Sequence, residues 1–233
     1  MSTATTQQAA PQMVGSPSPP HIIAEIHGIY CAWVPEDPDA VARLVPAGLT
    51  PAEDRVVSLF QGAQAGAYTS WGGRVTITHA EVELEGRDSL DGRLRGRWWG
   101  LYLNSEPFYL AGARMLGVPG AKEGRTEVAL DGDRLVATTF DDDTAIIRTS
   151  ARVGAEPVGP FGAQARYLIP GEGFPSILVP VAAPAYEVAV EDVEFLEPSH
   201  PSHALRPLKP LRLAWTLYSP RLSYAFSPPM AIP

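Results

Sequence analysis

Two periodicities divide this chain. Most of it alternates apolar and polar residues in short runs closed by glycine or proline, the pattern of half-buried strands. Only two stretches carry helical spacing. Residues 22–34 read as one strand with a bend at Gly28. Asp37 and Pro38 then open a short helix with Val41, Leu44 and Val45 on one side, and Pro46 closes it. Further strands are predicted over 55–60, 75–85 and 93–104. In the last, Leu101 and Leu103 alternate with Tyr102 and Asn104. Ser105 caps a second helix, Pro107 suits its first turn, Phe108, Leu110, Ala111 and Met115 form its apolar stripe, and Gly117 stops it. A Gly/Pro loop then delivers Lys122 toward whatever the strands enclose. A hairpin is predicted from 125–130 and 134–140 around Asp131-Gly132-Asp133. Strands over 145–153, 164–169, 176–181, 186–196, 211–218 and 223–226 complete the set.

The most informative strand is 75–85. Its even face, Thr76, Thr78, Ala80, Val82 and Leu84, is small and mostly apolar; its odd face carries Val75, Ile77, His79, Glu81 and Glu83. In an open sheet such a polar face meets water. In a closed barrel it lines the interior. The 24 prolines and 21 glycines cut the chain into many short strands, favouring a barrel or sandwich over α/β layers. The expectation is a disordered tail over 1–20 and one mainly β domain over 21–233 with two or three short helices.

The net charge of −8 argues against a nucleic-acid partner. The basic cluster Arg93, Arg95 and Arg97 has strand spacing and reads as a solvated face, or more weakly as an anion-binding strip. Cys31 is the only cysteine, so no internal disulfide forms, and it reads as a small buried residue. No run approaches the roughly 18 apolar residues of a membrane helix, and the N-terminus has no secretory pattern, which points to the cytoplasm. The chain lacks Gly-rich phosphate loops, nucleophile elbows and the HExxH and CxxC metal patterns. His200 and His203 read as loop histidines rather than a metal site, and Asp141 to Asp143 as a solvated turn rather than a magnesium site. No cofactor is expected. Two lysines leave 16 of the 18 basic residues as arginine, so Lys122 stands out, either as chemistry or as a loop charge.

Three segments in register resemble the acetoacetate decarboxylase-like superfamily. They are the helix and turn over 38–49, His79-Ala80-Glu81, and the run from Tyr102 through Gly112-Ala113-Arg114 to Gly117-Val118-Pro119. The resemblance implies a cone-shaped, largely antiparallel closed β-barrel with an internal pocket, often oligomeric, and a lysine after the Gly-aromatic-Pro loop that forms a Schiff base with a keto acid. The chain departs from that pattern. Gly120 and Ala121 stand where the decarboxylases have two lysines, Lys122 is displaced by two residues beside Glu123, and Pro35 falls where an early arginine belongs. The adjacent carboxylate favours the ammonium form, the opposite of what an amine nucleophile needs.

The preferred expectation is therefore a lyase or cyclase that kept the barrel and changed its reaction. A carbonyl-bearing or polyketide-like small molecule would lie among Trp99, Tyr102, Phe108, Tyr109 and Arg114. Glu81, with His79, would move a proton in a cyclisation, dehydration or isomerisation. A Schiff-base enzyme using Lys122 and a non-catalytic binder of an apolar molecule are the alternatives. Richness in Ala, Gly, Pro and Arg suits a GC-rich genome and, by association, specialised metabolism such as antibiotic biosynthesis.

Overall fold

The computed structural model describes residues 21–69, 74–88 and 94–230; the expected tail and Arg93 lie outside them. Ten strands form a single sheet: β1 (His21–Trp33), β2 (Val57–Thr69), β3 (Thr76–Leu84), β4 (Gly96–Asn104), β5 (Ala121–Glu123), β6 (Arg125–Asp131), β7 (Arg134–Asp141), β8 (Thr144–Leu168), β9 (Ser176–Phe195) and β10 (Leu213–Phe226). Their order is β5-β4-β3-β2-β1-β10-β9-β8-β7-β6. One further parallel pairing sets Gly96 against Arg166 and Arg97 against Tyr167. That seam between β4 and β8 closes seven strands, β4-β3-β2-β1-β10-β9-β8, into a ring. The mainly β expectation holds, and sheet closure takes this form.

Two apolar clusters divide the ring's inside from its outside. Inside lie Tyr30, Phe60, Ile77, Trp99, Tyr102, Tyr167, Val179 and Leu217 among others. Outside, Cys31, Leu59, Ala80, Val82 and Leu101 pack against Leu135, Ala137, Ile146, Ile147 and Val193 of β7, β8 and β9. The β6–β7 hairpin and the strands continuing from it thus cover the outer face. Polar bonds bind the two layers: Thr78 Oγ1 meets Thr126 Oγ1 at 2.7 Å and Thr139 Oγ1 at 2.6 Å, and Gln61 donates to Thr139 at 2.8 Å. Both faces of β3 are therefore buried, its even residues outside the ring and its odd residues within.

Several boundaries differ from the sequence reading. β2 runs on to Thr69. The segments over 145–153 and 164–169 are one strand, β8, and likewise 176–181 with 186–196 in β9 and 211–218 with 223–226 in β10. Pro157 and Pro160 do not break β8 because they sit where it has β9 on one side only: its pairing with β7 ends at Arg152 and with β4 begins at Arg166. No second ladder needs their missing N–H groups. The irregularity in β1 begins at Glu25, whose φ is +58°, and extends to the expected Gly28, where the register with β10 shifts again. Gly28 and the facing Gly62 serve packing, since a Cβ on either would lie 2.7 Å from the Phe60 ring.

Helix α1 (Pro38–Ala42) starts as expected, with the Asp37 carboxylate accepting from Ala40 N at 2.9 Å. Helix α2 (Pro107–Met115) is capped one residue later than expected, by Glu106, which accepts from Tyr109 N at 3.0 Å. Ser105 instead accepts from Thr76 N at 2.8 Å. The buried face of α2 is Tyr109, Leu110 and Ala113; Met115 and Phe108 are exposed.

Candidate functional site

Strand register assembles a buried polar cluster on the inner face. Ser58 of β2 stands opposite Glu81 of β3, Phe60 opposite His79, and Arg97 of β4 opposite Tyr167 of β8. A bulge completes the arrangement. Glu81 pairs with Trp99 and Ala80 with Leu101, leaving Gly100 unpaired. The extra residue switches the parity of β4, so that Arg97 and Trp99 before it and Tyr102 and Asn104 after it all belong to the inner side.

Glu81 is wholly buried (0% exposed), with three hydrogen-bond partners and one cation around it. Ser58 Oγ donates to Oε2 at 2.6 Å and Tyr167 to Oε1 at 3.3 Å. His79 Nδ1 bonds Oε1, and an Arg97 guanidinium nitrogen lies 3.7 Å from Oε2. Burial alone would raise the Glu81 carboxyl; the His79 ring, the Arg97 guanidinium and the Ser58 hydroxyl outweigh it and hold it below its ordinary value. Arg97 is 3% exposed. Burial disfavours its charge, but Tyr167, Glu81, Tyr30 and Glu83 raise its affinity for the proton above the usual arginine value. Burial pushes the phenols of Tyr30 and Tyr167 well up, and that of Tyr102 up to about 12. The cluster therefore holds an ionised carboxylate, a charged guanidinium and neutral phenols.

Aromatic rings frame these groups. Trp99 stacks on Tyr167 with centroids 4.6 Å apart and planes 12° apart. The His79 ring meets Tyr30 and Tyr167 edge-on and tilts against Phe60 at 5.2 Å. Arg97 lies 5.5 Å from the Trp215 ring centroid. Because Glu81 accepts at Nδ1, that nitrogen of His79 carries the proton, which leaves Nε2 as the nitrogen that can accept one. Such a set can take a proton from carbon and hold a developing oxyanion beside Arg97 and Tyr167.

Of the residues singled out in the sequence, Glu81, His79, Trp99, Tyr102 and Tyr109 come together in or beside this interior. Three do not. Phe108 is 43% exposed on the outer side of α2, and Arg114 is exposed there, with Nε donating to Ala121 O at 3.2 Å. Lys122, in β5 at the sheet edge, has a side chain 47% exposed and 2.6 Å from Asp141. That hydrogen bond raises the lysine's pKa. Lys122→Ala is accordingly expected to leave turnover unchanged and move Tm little, and borohydride with a keto acid should add no mass to the protein. Asp141 also takes His200 Nε2 at 3.0 Å, so Asp142 and Asp143 form the expected exposed turn while Asp141 belongs to a clasp between β5, β7 and the 3₁₀ turn Pro201–Leu205.

Sequence reasoning missed Arg97, Tyr167, Ser58 and Tyr30. The one available signal was Gly100, an isolated glycine inside a strand pattern, which marks a bulge. Cys31 is buried as expected, its thiol pushed up to about 12 by burial. Among the described residues no group of three or more His, Cys, Asp or Glu side chains is placed to hold a metal ion, and no helix is long and apolar enough to cross a membrane.

No protein-family model and no curated protein matches the chain. Solved structures do. An acetoacetate decarboxylase from Legionella pneumophila subsp. pneumophila str. Philadelphia 1 superposes with a TM-score of 0.60 at 15% identity, over 98% of this chain and 93% of that one. An acetoacetate decarboxylase-like enzyme from Sphingomonas wittichii RW1 gives 0.58 at 12% identity, over 99% and 100%. The enduracididine biosynthesis enzyme MppR complexed with pyruvate gives 0.56 at 13%, over 95% and 91%. At these identities the likeness shows a shared fold, that of the acetoacetate decarboxylase-like enzymes.

Proposed function

We propose that this protein is an enzyme that moves a proton on a carbonyl-bearing small molecule inside the seven-strand ring, without a lysine Schiff base. The observation that carries this reading is the buried Glu81 carboxylate, which gathers His79, Arg97 and Tyr167 around one point of the ring's interior. His79 takes the proton from the carbon beside the carbonyl through Nε2. Glu81 is a weak base, its proton affinity lowered by its partners, and it serves by fixing the imidazole and stabilising its cation. Arg97 and Tyr167 face the enolate oxygen. Returning that proton to another carbon gives isomerisation; passing it to a departing β-hydroxyl releases water and gives dehydration; passing it to the alkoxide formed when the enolate carbon attacks a second carbonyl gives cyclisation. The fold's enzymatic relatives, including one in a biosynthetic pathway, support a role of this kind.

The test is hydrogen–deuterium exchange beside the carbonyl of heptan-2-one and of heptane-2,6-dione in D₂O, followed by proton NMR. Exchange above the buffer rate is expected, falling about 100-fold or more in His79→Gln. Exchange unchanged in that variant overturns the role of His79. No exchange with either ketone favours a binding protein, and exchange that depends on Lys122 restores Schiff-base chemistry.

A further inference from the structure

Two buried donors inside the ring reach no partner among the described residues: Arg97 Nε–H and the Tyr224 hydroxyl. Tyr224 lies on β10 between Ile23 of β1 and Val181 of β9, belongs to the inner apolar cluster, and is 6% exposed. Native interiors rarely leave such groups unpaired, so two orphaned donors on one interior call for acceptors that the chain itself does not supply. Arg97 stands opposite Tyr167 in the β4–β8 register, and Tyr224 shares the inner apolar cluster with Tyr167. The Tyr167 phenol bonds Glu81, and Tyr102 belongs to the same inner cluster as Tyr167 and Tyr224. The two donors thus flank one aromatic interior from different strands.

Charge then restricts what can meet them. Arg97 has Glu81 at 3.7 Å and stands opposite Glu83 in the β3–β4 register, and His79 is held by the same Glu81 carboxylate. A ligand carboxylate would enter as an added negative charge with no cation left to balance it. We infer that the ring binds a neutral compound with two carbonyl oxygens, one accepting from Arg97 Nε–H and the other from the Tyr224 hydroxyl. This deepens the proposed function by naming its substrate class, and rests on the same interior.

The experiment is binding, followed by tryptophan fluorescence and calorimetry at pH 8. The probes are linear methyl diketones from pentane-2,4-dione to nonane-2,8-dione, each with its monoketone and the oxo-acid in which carboxylate replaces the second acetyl group. At the best spacer length the diketone should bind about tenfold more tightly than either comparator. Tyr224→Phe should lower diketone affinity about fivefold, leave the monoketone within about twofold, and not lower the Tm of the unliganded protein, because it removes an unpaired hydroxyl. Arg97→Lys, which keeps the charge and removes the Nε donor, should weaken both ketones. The inference is overturned if no diketone binds, if the oxo-acid binds as well as the diketone, or if Tyr224→Phe leaves the diketone preference intact or lowers the unliganded Tm. Diketone binding without deuterium exchange leaves this assignment standing and overturns the proton-transfer reading. Exchange without a diketone preference does the reverse.

Discussion

Glu81→Gln is expected to destabilise the fold by roughly 3–5 kcal/mol, because it removes the wholly buried carboxylate that lies 3.7 Å from the buried Arg97 guanidinium and leaves that charge under-compensated. In a chain of this size that corresponds to a Tm lower by something on the order of 10 °C. The same variant should lose at least about 100-fold in turnover, since the imidazole is no longer held or its cation stabilised. Changing both partners separates the two effects. Glu81→Gln with Arg97→Met removes the under-compensated charge, so stability should return toward that of the parent while activity does not. Acid gives an independent check. Glu81 and Asp141 both titrate below their ordinary values, so as pH falls the unfolded chain takes up their protons first. Their contribution is complete above the unfolded values and is lost as pH falls through the folded ones. Glu83 works the other way: burial raises its pKa, so it costs stability above that raised value and the cost fades with acid. Urea unfolding from about pH 7 down to about pH 3 should therefore show the parent losing its advantage over Glu81→Gln as the solution becomes acidic. An advantage that stays constant across that range would mean the stabilising group at this position is not the ionised carboxylate.

The parts of the fold legible in the sequence were those set by local rules. Asp131-Gly132-Asp133 announced the β6–β7 hairpin, and Gly132 adopts φ +59°, a value open to glycine at that turn. Asp37 announced α1. The alternation of His79, Glu81 and Glu83 was also plain, but a period of two leaves the sign of the face open, and only closure of the ring decides that these residues point inward. What could not be read depends on distant pairing. Arg97 looks like a solvated guanidinium until β8, some seventy residues later, pairs beside it and brings Tyr167 to Glu81. Prolines misled because their cost falls on a ladder bond, and Pro157 and Pro160 lie where the second ladder is missing. The sequence left Lys122 open between chemistry and a loop charge because a Gly/Pro loop shows where a side chain leaves the helix and not which side of the sheet receives it. Asp141, on the neighbouring hairpin, holds it outside.

The seam that makes Arg97 and Tyr167 neighbours is short, and Trp99→Ala is the variant that should open it. Backbone pairing between β4 and β8 extends over two residue pairs only. Side chains must supply much of the closure, and across the seam the Trp99 ring stacks on Tyr167. Removing a buried indole costs about 3–5 kcal/mol, of which stacking beyond area burial accounts for roughly 0.5–1.5 kcal/mol. The distinguishing prediction concerns where that loss appears. Amide hydrogen exchange should rise first and most at residues 96–97 and 166–167, ahead of the antiparallel β1–β2 and β1–β10 ladders on the far side of the ring. Turnover should then fall by more than the unfolded fraction accounts for, because a seam that breathes withdraws Tyr167 from Glu81 without unfolding the chain. If exchange instead rises evenly over all ten strands, Trp99 is ordinary core and closure is maintained by the ladders alone. In that case the polar cluster would not depend on the seam, and loss of activity should track loss of stability.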